Sequence, residues 1–385
     1  MNDKQRQSLI PYARQWIDED DISAVVKVLQ SEWLTTGPKV AEFEQALANY
    51  VGAKEAVAVS SGTAALHAAM YAVGIGPGDE VIVPPMTFAA TANAIVFQGG
   101  TPIFSDVYAD TLLLDPNQVE TKITAHTKSI VAVDYAGQPC NYDALRAIAD
   151  RRGLFLIEDA CHALGAEYKG EKVGSLADLT VFSFHPVKHI TTGEGGMIVT
   201  DRSDFAKKMR RFRNHGIDTD HSQRFKQGTL YYEMQDLGYN YRTTDFQCAM
   251  GINQLGKLPG WLVRRREIAQ QYNEAFSRMP ALEPLKLLEN ILHAYHLYVS
   301  QLDLGKLGVS REKICYCLRK EGVGVNVHYI PVHLHPFYKN FYGTGPGLCP
   351  VAEKAYEQII SLPLFPSMCD EDVRTVILKV QKVVT

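Results

Sequence analysis

The sequence predicts an α/β fold: a large domain built on a mixed, mostly parallel sheet with helices on both faces, then a smaller C-terminal α+β domain. Three observations predict it. Seven short β-branched runs occur in series, at 56–59, 80–83, 102–104, 129–133, 155–157, 179–184 and 197–200. Several are continuously apolar, as in strands buried on both faces. Stretches with helical spacing, such as 63–73 and 142–152, separate the earlier runs, and strand–helix alternation argues for parallel strands joined by crossover helices.

Before the strands, the segment 20–31 carries Ile22, Val25, Val26, Val28 and Leu29 at helical spacing, and 40–50 repeats the pattern. The last two strand runs lie too close together for a helical crossover and are expected to pair antiparallel. Beyond Phe205 the pattern turns helical through 206–213 and then through a long segment from Asp245 to Phe276. The remainder, 294–385, mixes short strands and helices, with 324–328 read as a strand. A boundary near the long helix divides the chain into 1–245, a large domain with an N-terminal arm, and 246–385, a small domain with its connecting helix.

The 385 residues are 46% hydrophobic and 21% charged, an ordinary globular composition long enough for more than one core. A formal net charge of -4 lacks the basic excess that nucleic-acid or anionic-membrane partners require. The basic runs at 207–211 and at Arg264-Arg265-Arg266 fall in helical stretches and read as solvated faces. The polar start, Met1 to Ile10, has no apolar core of a secretory signal, and no run approaches the roughly 18 apolar residues of a membrane span. Seven cysteines without paired metal spacing fit reduced thiols in a cytoplasmic protein and no metal site.

The chemistry-bearing residues sit at strand ends, where open α/β sheets place their ligands. Ser60-Ser61-Gly62-Thr63-Ala64-Ala65 follows a strand and opens a helix, so small residues and free amides stand ready for an anion. Taken alone, such a turn also reads as a plain helix cap. Glu158 and Asp159 end an apolar strand, and alternation sends them to opposite sides; an isolated Asp there could equally cap the next helix. Lys188 lies in Ser183-Phe184-His185-Pro186-Val187-Lys188-His189, just past a strand and before the glycine-rich Gly193-Glu194-Gly195-Gly196. Such surroundings desolvate an amine, lower its pKa and make it nucleophilic. A lysine, a carboxylate and an anion-binding turn, with an aromatic face near, are what pyridoxal 5'-phosphate requires.

This ordered series resembles the DegT-type sugar-nucleotide aminotransferases, a branch of the fold type I pyridoxal-phosphate enzymes. The resemblance spans nearly the whole chain. It includes Ser61 to Leu66, Pro85-Met86-Thr87-Phe88, Glu158 to Gly165, Ser183 to Lys188, Gly193 to Gly196, Gly238-Tyr239-Asn240-Tyr241-Arg242 and His328-Tyr329-Ile330-Pro331. It implies that Lys188 holds the cofactor and moves protons, that Asp159 pairs with the pyridine nitrogen and that Phe88 stacks on the ring. His162 would lie near the phenolic oxygen, and Gly62, Thr63 and Ser183 would bind the phosphate. Asn240 would cross to the second subunit of a homodimer with shared active sites. Tyr12, the loop Trp33-Leu34-Thr35-Thr36-Gly37, His185, Asn240, His328 and Tyr329 would border the nucleotide-sugar substrate, with L-glutamate as amine donor. Many relatives carry Gln where His162 stands and Trp or Tyr where Phe88 stands; an aromatic face and a hydrogen-bonding group survive both changes.

Within the family, Val133 to Gln138, Leu34 to Gly37 and Val327 to Pro331 are most similar to the branch that aminates carbon 4 of a UDP-linked 4-keto-6-deoxy-altrosamine. Related branches act on other UDP, GDP or TDP keto sugars. Two rival readings share the scaffold. A cysteine desulfurase would need a mobile reactive thiol, for which Cys349 is the only candidate. A ligand-sensing regulator would lack the lysine or carry a DNA-binding domain.

Overall fold

A computed structural model describes residues 9–219 and 228–384; most of the polar N-terminal stretch, 1–8, lies outside the described residues. The strands of the first two-thirds are β1 (Glu55–Val59), β2 (Glu80–Val83), β3 (Thr101–Phe104), β4 (Thr127–Val133), β5 (Phe155–Asp159), the two-residue β6 (Glu167–Tyr168) and β7 (Glu171–Lys172), β8 (Leu179–Ser183) and β9 (Gly196–Thr200). Seven of them form one sheet in the order β1-β9-β8-β5-β4-β2-β3. Strand β9 runs antiparallel to β8 and β1, while the β8-β5-β4-β2-β3 pairs are parallel. The expected antiparallel pair is therefore present, because the short connection after β8 has no room for a crossover helix.

Period-two alternation divides the sheet's side chains between two cores. Val57, Val59, Leu179, Val181 and Ile198 face one, with Leu66, Met70 and Phe212. Ala56, Ala58, Phe182, Met197 and Val199 face the other, with Phe43, Leu47 and Leu258. Both faces are buried, which is why these runs read as continuously apolar.

The helix Asp245–Phe276 starts on a capping box in which Thr244 and Gln247 satisfy each other's backbone amides. Its first half gives Cys248, Leu255, Leu258 and Leu262 to the second core. Its last turns give Ile268, Ala269, Tyr272 and Phe276 to a third. That core lies against the antiparallel sheet of β10 (Leu282–Pro284), β12 (Tyr298–Leu302) and β13 (Ile359–Leu362), while β11 (Ile291–Leu292) pairs with β6.

Two expectations are corrected. The segment 324–328 makes no strand; it is held by isolated bridges, Val323 to Ile10 and Asn326 to Ser361. The N-terminal arm lies across it, Ile10 O accepting from Gly324 N at 2.8 Å, and a Cβ on Gly324 would meet that oxygen at 2.9 Å. The run Arg264 to Arg266 is not a solvated face throughout. Arg265 is buried, with Nη1 donating to the carbonyls of Tyr295, His296 and Leu364 at 3.0, 3.5 and 3.3 Å, so it ties the long helix to the segments beside the cavity.

Candidate active site

Strands β5 and β8 end at the same rim of the sheet, where the helices Gly62–Ala72 and Ala89–Phe97 begin. A cavity of about 500 Å³ opens there. Gly62, Thr63, Phe88, Asp159, His162, Ser183 and Lys188 line it, and so do Tyr12, His185, His328 and Tyr329. Eleven of the residues singled out in the sequence are thus brought together from six chain segments.

One end of the cavity is the start of helix Gly62–Ala72. Ser61 caps it, its hydroxyl accepting from Ala64 N at 3.1 Å, so the amides of Gly62 and Thr63 have no acceptor within the helix. Close approach dictates the glycines. A Cβ on Gly62 would lie 2.9 Å from Ser183 Cβ, and one on Gly196 would lie 2.4 Å from Ser61 O.

Asp159 ends β5 and is buried. Its Oδ2 accepts from Thr91 Oγ1 at 2.7 Å and its Oδ1 from Cys161 N at 3.2 Å. Thr91, which sequence reading missed, was recoverable from its i,i+4 spacing to Thr87; their hydroxyls lie 2.7 Å apart. Lys188 sits in the turn after β8, its amide donating to His185 O at 2.9 Å. Burial lowers its amine below the ordinary lysine range, although Cys161 and Asp159 pull the other way. The side chain is half-exposed, and the exposed part opens into the cavity.

Buried histidines surround this amine. His162 pairs with Tyr329 Oη through Nε2 at 3.0 Å, and its ring lies 4.4 Å from that of His296. Burial, reinforced by the lysine charge, holds His162 and His296 well below the usual imidazole range and brings His328 down to about 4. The wall is therefore neutral at physiological pH. His296 is another residue missed in sequence; the clustered His293-Ala294-Tyr295-His296 was its only signal. Phe88 is 61% exposed at the cavity's edge, tilted against Tyr329 at 6.1 Å.

Glu158 points away from the cavity, as alternation requires. Its Oε2 accepts from Thr180 Oγ1 at 2.6 Å and Gly174 N at 3.3 Å. Beyond it lies Asp134, marked in sequence only as part of Val133 to Gln138, whose Oδ1 accepts from Cys140 N at 3.0 Å and Tyr142 Oη at 2.8 Å. The remaining oxygens, Glu158 Oε1 and Asp134 Oδ2, have no donor, and the two carboxyls face each other. Burial pushes both pKa values up, Asp134 the more, which favours a proton held between them. A charged pair with no cation beside it would not persist in such a place.

The loop Trp33 to Gly37 and Asn240 stay outside the cavity of the single chain. Trp33 lines two neighbouring clefts. Leu34 and Thr35 are strapped to the start of the long helix, by Leu34 O to Asp245 N at 2.9 Å and by the Thr35–Thr244 bridge. Asn240 is exposed. Cys349 is buried at the start of helix Pro350–Gln358, its thiol pushed up to about 12 by burial, which removes the desulfurase reading. Among the described residues no cluster could hold a metal, and no helix is long and apolar enough to cross a membrane.

The cavity fits pyridoxal phosphate. It joins a desolvated lysine, a carboxylate fixed by two donors, a helix start with open amides, and a His162 Nδ1 that is buried without a partner. Together the fold and this site define a fold type I pyridoxal-phosphate-dependent aminotransferase. The model of the DegT/DnrJ/EryC1/StrS aminotransferase family matches residues 15–381, and the chain belongs to that family. It is 44% identical over 383 residues to the spore coat polysaccharide biosynthesis protein SpsC of Bacillus subtilis, covering 99% of this chain and 98% of that protein. Among solved structures, Helicobacter pylori PseC, an aminotransferase involved in the biosynthesis of pseudoaminic acid, is similar with TM-score 0.91 and 34% identity, covering 98% and 99% of the two chains. The PLP-form of Spr1654 from Streptococcus pneumoniae is similar with TM-score 0.90 and 34% identity, covering 98% and 100%.

Proposed function

We propose that this enzyme moves an amino group from L-glutamate to carbon 4 of a nucleotide-linked 4-keto-6-deoxy sugar, in a ping-pong cycle. Our preferred acceptor is UDP-4-keto-6-deoxy-N-acetyl-β-L-altrosamine of the pseudaminic acid pathway, in the cytoplasm, with the product destined for a cell-surface glycan such as the one attached to flagellin. The single observation that carries the reading is the meeting of Lys188 and Asp159 in one cavity walled by neutral histidines. Polysaccharide and pseudaminic roles of SpsC and PseC support a sugar acceptor.

When bound, pyridoxal phosphate supplies an electron sink for the bond broken at the amine-bearing carbon. The chain's residues do the rest. Lys188, its amine pKa lowered by desolvation, would hold the cofactor covalently and then carry the proton between donor carbon and cofactor. Asp159 would hold the pyridine nitrogen protonated, its carboxylate aimed by Thr91 and Cys161 N. Gly62, Thr63 and Ser183 would receive the phosphate, Phe88 one ring face, and His162 the phenolic oxygen. Tyr12, His185, His328 and Tyr329 would border the sugar. Trp33, Leu34, Thr35 and Asn240, which the single chain leaves outside the cavity, would complete the site in a homodimer with shared active sites.

The test is a panel of UDP-, GDP- and TDP-linked keto sugars assayed for glutamate-dependent amination. The altrosamine derivative is expected to give the highest kcat/KM, with parallel double-reciprocal plots against glutamate. Preference for a 3-keto sugar would overturn the substrate assignment. Lys188→Ala is expected to lose about 10³-fold or more in turnover; wild-type turnover in that variant would overturn the reaction.

A further inference from the structure

The backbone on either side of Asn240 is held from two directions. Tyr239 N donates to Phe212 O at 2.8 Å, and Tyr239 O accepts from His215 N at 3.0 Å. Tyr241 N donates to Arg213 O at 3.0 Å, and Tyr241 O accepts from Ser60 N at 2.9 Å. The Asn240 side chain is nevertheless exposed, with no hydrogen-bond partner among the described residues. Alternation along this extended stretch explains the contrast. The rings of Tyr239 and Tyr241 share one side, stacked at 5.0 Å and 12°, which sends Asn240 to the other.

Both tyrosines pack on His67, at 5.0 and 5.9 Å. His67 also supplies the polar anchor: its Nδ1 lies 3.1 Å from Tyr241 Oη, and its Nε2 lies 2.8 Å from Gln98 Nε2. Burial lowers His67 to about 4, so the neutral ring bonds to Tyr241 and to Gln98 without carrying a buried charge. His67 stands on helix Gly62–Ala72, which opens at the anion-binding turn of its own chain.

We propose that His67 and Tyr241 are positioning residues for the active site of the second subunit: their contact fixes the direction in which Asn240 is presented to the partner's cofactor phosphate. This rests on the shared-site homodimer proposed above. It makes an unusual demand. His67 rides on the helix that begins the cavity of its own chain, yet its loss should damage the opposite cavity. A merely structural role would damage its own.

The experiment uses purified heterodimers carrying a different affinity tag on each subunit. His67→Ala homodimers are expected to lose roughly 10- to 10²-fold in turnover, the scale of a misplaced binding group. Paired with Lys188→Ala, the His67→Ala chain keeps its own lysine and receives an intact Asn240, so one site is whole and about half the wild-type rate returns. A heterodimer as weak as the His67→Ala homodimer places the lesion in cis and overturns the proposal. The Asn240→Ala/Lys188→Ala heterodimer is the control. If that control also fails to recover, the shared-site dimer itself is wrong; if it recovers alone, only the role of His67 is wrong.

Tyr241→Phe removes only the hydroxyl and guards against misfolding of the alanine variant. Its cofactor-free homodimer is expected to bind pyridoxal phosphate about 10-fold more weakly in a fluorescence titration, as for loss of one hydrogen bond to a charged group. Unchanged affinity overturns the proposal. His67→Asn, which can offer a polar atom near the position of Nδ1, should recover activity relative to alanine; equal losses in the two overturn the role of the hydrogen bond.

Discussion

Replacing Glu158 separates the shared proton behind the site from the chemistry in front of it. Glu158→Ala leaves the Thr180 hydroxyl and the Gly174 amide without acceptors in a fully buried place. It also leaves Asp134 facing a void. Two orphaned donors and the stranded carboxyl together cost about 3–5 kcal/mol. Glu158→Gln keeps an oxygen for Thr180 and Gly174 and turns its NH2 to Asp134 Oδ2, where the shared proton was, so the cost is about 1 kcal/mol or less. The pH dependence has a definite sign. Both carboxyl pKa values are raised by folding, so their contribution to stability is fully present below the unfolded carboxyl value of about 4 and is lost as pH rises through the folded values. Wild-type protein should therefore lose stability over that range more steeply than Glu158→Gln. Urea unfolding followed by circular dichroism at several pH values reads both effects. A glutamine variant as unstable as the alanine variant, or one with an unchanged pH slope, would refute the shared proton.

Other perturbations act on the cavity itself. Gly62→Ala places a methyl group 2.9 Å from Ser183 Cβ and should weaken pyridoxal phosphate binding by about 10-fold or more in a titration of the cofactor-free protein; unchanged affinity would remove the turn from the phosphate site. Asp159→Asn is expected to retain cofactor but to lose roughly 10²-fold or more in the single-turnover rate with glutamate, and near-normal kinetics would mean that the carboxylate is not the ring's partner. For His328, folding lowers the pKa to about 4, so stability is lost as pH falls from the unfolded value near 6.5. His328→Gln should flatten the acid limb of stability between those values, and an unchanged limb would show that the imidazole is not held neutral.

Much of this was legible in the sequence because local rules and tertiary demands coincide. Continuous apolar runs marked sheet strands such as β4 and β5, and the short link before β9 marked its antiparallel pairing. Strand-end placement and period-two alternation separated Asp159 from Glu158. Other features depend on contacts distant in sequence. The stretch 324–328 has strand-like residues, but the arm Ile10-Pro11-Tyr12 occupies the edge a ladder would need. Arg265 carries a charge that spacing alone assigns to solvent, and its burial depends on carbonyls about 30 and 99 residues away. Asp134 meets Glu158 only because β4 and β5 are neighbours in register, Val133 opposite Asp159. Nothing in either local segment announces that meeting.

The assignment of Lys188 as the residue that holds the cofactor can be tested on the purified protein without any substrate. Treating the pyridoxal-phosphate-loaded protein with borohydride fixes the lysine–cofactor linkage, and peptide mass mapping then locates it. The phosphopyridoxyl mass is expected on the peptide containing Ser183 to Lys188, at Lys188 alone. A stoichiometric label on any other lysine, or protein that retains its cofactor absorbance yet yields no labelled Lys188, would contradict the assignment.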